Sequence, residues 1–298
     1  MFTIYRAALT LHILAGIVGM AAFWTPVVTR KGGTTHRRAG RVFFRATSIV
    51  ALTGLVMAAA LFSDPLAAQP PKQALTAQAA AATIARIRLF VPFLLYLVLI
   101  TFTPVYHGVR VLATRREPSL LRTPFHTVIN VAAIVGSVGM IAIGLMARRP
   151  IFVFMSPIGF LVGIGNLRFA RHPQVTPMAW WYEHMGAMLG GGIAFHTAFF
   201  VLGAGRLFGL QLEGMAAVVP WVLPSLVGIP ATVVWRDPIA GGSAILSPNG
   251  LPPRDQGEVH AWYRVPRHRW NLDRLSTQPN RAVCANTAAP QSGDREAR

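Results

Sequence analysis

Five histidines fall within or at the edges of long apolar runs: His12, His107, His126, His184 and His196. An ionisable side chain in a bilayer is costly, so it usually faces the protein interior and serves a site. Acids are scarce in the same region. Between residues 1 and 235 they are Asp64, Glu117, Glu183 and Glu213, all at run edges or between runs. Imidazoles without carboxylates suit b-type haem, whose axial ligands are neutral. Metal-dependent hydrolysis wants carboxylate ligands or bases instead. The chain has no clustered histidine motif, no G-x-S-x-G elbow and no C-x-x-C-H, and Cys284 is its single cysteine. No metal site is therefore expected. The chemistry expected of the five histidines is haem b binding, with electrons exchanged with a quinone. The competing expectation is a non-catalytic membrane protein, either a small-solute carrier or a partner-binding subunit. Its histidines would be interhelical hydrogen-bond residues.

Helical spacing sorts these groups. Tyr96, Thr103, His107 and Arg110 share one stripe, as do His126, Asn130 and Ser137. His107, His126 and His184 fall at one depth, and His12 and His196 at another. Gly16 and Gly19 share a face with His12 and leave room for close approach. Two stacked haems would need such layers, but His184 and His196 lie about 120° apart on an ideal helix by its 3.6-residue turn. One haem in one layer fits better. Gly186, Gly190, Ala194 and Ala198 form a small-residue stripe, read as a packing seam.

The elements that must position these residues are membrane spans. Of the 298 residues, 53% are hydrophobic and 13% are charged, and the net charge is +18. So high a charge points to nucleic acid in a soluble protein. Here the basic residues flank apolar runs, so a lipid bilayer is the expected partner and nucleic acid is not. About 20 apolar residues cross a bilayer as a helix. Seven stretches qualify or nearly so: 5–28, 43–63, 87–112, 126–147, 150–169, 184–205 and 216–235. The fold expected is an all-α polytopic transmembrane bundle of about seven spans. The first run is longer than a signal-peptide core, and so is read as a retained span. Segment 64–84 reads as a loop with room for a short helix.

Two domains follow. Residues 1–236 form the membrane domain. Residues 237–298 are rich in Pro, Arg, Asn and Ser and read as a disordered basic cytoplasmic tail. Twelve Lys and Arg residues lie in one set of loops and seven in the other. The positive-inside rule then places the N-terminus outside and the C-terminus in the cytoplasm. A bacterial inner membrane is the expected location.

The turn after the first span carries Arg37, Arg38 and Arg41 within Lys31-Gly32-Gly33-Thr34-Thr35-His36-Arg37-Arg38-Ala39-Gly40-Arg41. With Arg110, these arginines are expected to hold lipid headgroups or haem propionates. On this turn the chain resembles a family of bacterial multi-pass membrane proteins catalogued as a domain of unknown function. His12 carries the resemblance too, as does His184 followed by Met188, Gly190 and Gly191. So do Trp221, Leu223, Pro224, Ser225, Gly228 and Pro230. The resemblance covers about residues 5–236. It implies a membrane topology and brings no activity. Some relatives place an arginine where this chain has Ala187.

Overall fold

The computed structural model describes residues 1–115, 117–171, 178–204, 209 and 218–230. The helices in chain order are α1 (Phe2–Val28), α2 (Thr34–Ser63), α3 (Pro65–Ala68), α4 (Ala77–Thr114), α5 (Pro124–Met146), α6 (Pro150–Arg171) and α7 (Ala179–Ala198). A π-helical turn, Phe199–Ala204, extends α7. A further helix, α8, spans Val219–Pro230. Among the described residues, six helices are long and apolar enough to cross a membrane, and there is no strand. The chain is a multi-pass helical membrane protein.

Starts and stops follow local chemistry. Thr76 and Thr123 cap α4 and α5 by accepting the backbone N–H groups of Ala79 and His126. Three C-termini end on cations. Lys31 Nζ donates to the Pro26 and Val27 carbonyls of α1. Arg88 donates to Phe62 and Ser63 of α2, and Arg122 to Ala170 and Arg171 of α6. Each places positive charge where the helix dipole is negative and satisfies carbonyls that have no partner within the helix. Between α5 and α6, Arg148 turns the chain at φ 50°, and the N–H of Arg149 reaches back to the Gly144 carbonyl.

Several expected boundaries shift. The second span starts at Thr34 rather than 43, so the basic turn is the first part of α2. Helix continues through the charges because they are good helix formers, although they lie outside the apolar window. The third span likewise starts at Ala77 rather than 87. Segment 64–84 therefore holds α3, a short connection and the first turns of α4. In the seventh stretch, 216–235, the described helix has only the residues Val219–Pro230, a shorter apolar helix. The calls on residues 216–217, on 231–235 and on the tail 237–298 lie outside the described residues.

α1 pairs with α2 and α5 with α6, while α4 touches α2, α5, α6 and α7. Apolar side chains such as Leu14, Leu52, Val128 and Leu161 face outward, whereas Thr47, Thr103, His107, His126, Asn130, Ser137 and Asn166 are buried. Polar groups turned inward are what a hydrocarbon solvent selects.

Candidate functional site

α4, α5 and α7 bring three titratable side chains into a row. His107 Nδ1 lies 2.9 Å from His126 Nε2, and His107 Nε2 lies 2.9 Å from Glu183 Oε1. His107 and His126 are buried, with 0% and 1% exposure. The Glu183 side chain is 30% exposed. The row thus runs from a partly exposed carboxylate into the bundle.

The elements explain the placement. His126 is the third residue of α5, set by the Thr123 cap. The stripe spacing turns His107 toward α5, and Glu183 lies one turn into α7. Close packing holds α7 there, since a Cβ added to Gly108 would meet Ala187 Cβ at 3.1 Å. Below His126, Asn130 Nδ2 donates to the His126 carbonyl, and Asn166 Nδ2 donates to Asn130 Oδ1 at 2.8 Å.

With Glu183 as a carboxylate, one proton arrangement satisfies both bonds of the row. An ionised Glu183 only accepts, so His107 Nε2 carries the proton and its Nδ1 accepts from His126 Nε2. That leaves His126 Nδ1 bare. It is buried and has no partner among the described residues. Arg110, which shares the His107 stripe, donates from Nη2 to the Leu120 carbonyl, and its buried Nε has no described partner.

Of the other expected histidines, His184 sits beside this row, next to Glu183, while His12 and His196 lie apart from it. His184 Nδ1 donates to the Gly108 carbonyl. His12 Nδ1 pairs with Thr53 Oγ1 at 3.0 Å. His196 uses both nitrogens, accepting from Trp24 Nε1 and donating to the Gly192 carbonyl. His12 and His196 do not share a depth. His196 meets α1 at Trp24, twelve residues beyond His12, or roughly 18 Å at the helical rise. Arg38 and Arg41 are exposed on the first turns of α2, and Arg37 is half-buried there.

Two groups escaped the sequence reading. Glu183 was classed as an edge residue, yet it bonds a fully buried histidine, so the histidine layer is not free of carboxylate. Its partner is 76 residues away, a separation that no spacing rule joins. His36 was read only as part of the basic turn. It sits on α2 with a buried Nδ1 that has no partner among the described residues, within charge range of His184. The glycines of α7 that pack closely lie off the expected stripe. Gly191 packs on Val105 and Gly192 on Phe23, while Gly190 faces open space.

Among the described residues, no three His, Cys, Asp or Glu side chains gather as a metal site. No known protein family, curated protein or solved structure matches the chain.

Proposed function

We propose that the protein handles protons in the membrane, passing them between Glu183 and the bundle interior through His107 and His126. The observation that carries this reading is the pair of 2.9 Å bonds leading from a partly exposed acid to a bare, buried nitrogen. A proton arriving at His126 Nδ1 releases the Nε2 proton to His107 Nδ1. His107 then releases its own Nε2 proton to Glu183. One proton enters, one arrives, and no charge is left between them. The reverse order carries a proton inward.

Electron exchange with a quinone is the finer reading. Quinone reduction takes up protons along with electrons, and a proton path into the bundle supplies that need. A b-type haem does not fit at His107 and His126. Iron between two imidazole nitrogens needs about 4 Å, twice the roughly 2 Å of a His–metal bond, and these nitrogens are in direct contact. His196 has no nitrogen to offer. A second reading is a carrier whose histidines serve as hydrogen-bond residues, favoured because all five make such bonds.

Solvent exchange of imidazole protons in nitrogen-labelled histidine tests the proposal, with H107F and H126F assigning the signals. The wild type should exchange at both rings. E183Q, which keeps the shape but neither takes up nor releases a proton, should slow both at least tenfold. Exchange at His126 that ignores E183Q removes the proton reading and leaves the carrier.

A further inference from the structure

A cavity of about 840 Å³ lies between α1, α2, α4, the start of α6 and the end of α7. Its wall runs on α1 from Tyr5 to Met20 and on α2 from Leu61 to Thr47, roughly 22 Å by the helical rise. Most of that length is apolar, with Leu9, Met57, Leu94 and Phe199 among the lining residues.

The polar groups are unevenly placed. Arg86 and Arg149 both line the cavity and are both exposed. They belong to the same end of the bundle. Arg86 is one turn before Phe90, Arg149 is three residues before Phe152, and these two rings pack at 6.0 Å. Gln69, which donates to the Tyr5 hydroxyl, lines that end as well. Farther in, His12 lines the wall. The single Thr53 hydroxyl proton goes to the Ile49 carbonyl at 2.7 Å, so His12 Nδ1 is the donor to Thr53.

We infer that this cavity binds a single-chain acidic amphiphile, with its tail along the apolar wall and its carboxylate or phosphate at Arg86 and Arg149. Mostly apolar walls with a few convergent polar groups characterise ligand sites of this volume. Guanidinium groups match carboxylate and phosphate in charge and shape. A neutral quinone would leave both arginines without a counter-charge. None of His107, His126 and Glu183 lines the cavity.

Native mass spectrometry of the full chain, released from a maltoside detergent, tests this. The probes are oleate, oleoyl-lysophosphatidate, uncharged oleyl alcohol and a short-chain ubiquinol. A one-to-one adduct with oleate or lysophosphatidate is expected, at least tenfold more populated than the alcohol adduct. The stronger acid identifies the source, free fatty acid or lipid phosphate. R86Q/R149Q should erase the preference, and both sites are exposed, so the fold is kept. A Cβ at Gly16 meets nothing within 4 Å, and Gly16 lines the cavity. G16F should therefore fill the space and abolish the adduct. Equal binding of the alcohol, an adduct undiminished in R86Q/R149Q or G16F, or displacement of both acids by the quinol would overturn the inference.

Discussion

Tyr96 ties α4 to two other helices through one hydroxyl. Pro157 in α6 lacks the N–H that would serve the Val153 carbonyl. The Ser156 hydroxyl serves it instead, at 2.7 Å. The Tyr96 hydroxyl then donates to the Ser156 carbonyl at 2.8 Å, accepts the Gly159 N–H at 2.9 Å, and lies 3.3 Å from Ser137 Oγ. Tyr96→Phe keeps the ring and removes the buried bonds to Ser156 and Gly159. An unsatisfied buried group costs about 1–3 kcal/mol, so the variant should melt measurably lower in detergent. A melting curve that overlays the wild type contradicts this. At this scale the sequence was informative about direction and poor about partners. The Tyr96–His107 and His126–Ser137 stripes do face inward, because helical phase is local. That His107 meets Glu183 depends on how α7 packs, which no spacing on α4 contains.

Between helices, backbone approach decides the fit. A Cβ on Gly159 would sit 2.5 Å from Ser137 Oγ, and one on Gly163 would sit 2.6 Å from the Asn130 carbonyl. These two glycines, one turn apart on α6, let α5 come close enough for Asn130 and Asn166 to bond. Gly163→Ala should therefore force the pair apart, at roughly 1–3 kcal/mol for overpacking. The check is unfolding in detergent alongside Gly165→Ala, whose added Cβ meets nothing within 4 Å. Equal stability of the two variants would falsify the close-packing argument. The stripe at Gly186 and Gly190 had been the obvious seam. Close contacts fall at Gly191 and Gly192 and none at Gly190, because a regular pattern marks a face without saying which neighbour covers it. Spans were legible from apolar length, whereas their ends were not. Basic residues at helix ends count toward orientation, yet Lys31, Arg88 and Arg122 are also caps.

For the whole molecule, the excess of Lys and Arg on one set of loops predicts that the Glu183 end faces the cytoplasm. In a C284S background, Gln73→Cys between α3 and α4 should react with a membrane-impermeant maleimide in intact cells. Leu120→Cys between α4 and α5 should react only after permeabilisation. The opposite pattern reverses the orientation, and the proton chain would then open outside. The chain itself is the central claim, and proton exchange at the labelled rings of His107 and His126 tests it most directly. Wild-type exchange at both rings, slowed together at least tenfold by E183Q while His12 and His196 stay unchanged, is the predicted result. Rings locked in the wild type, or exchange at His126 that is indifferent to Glu183, would contradict it.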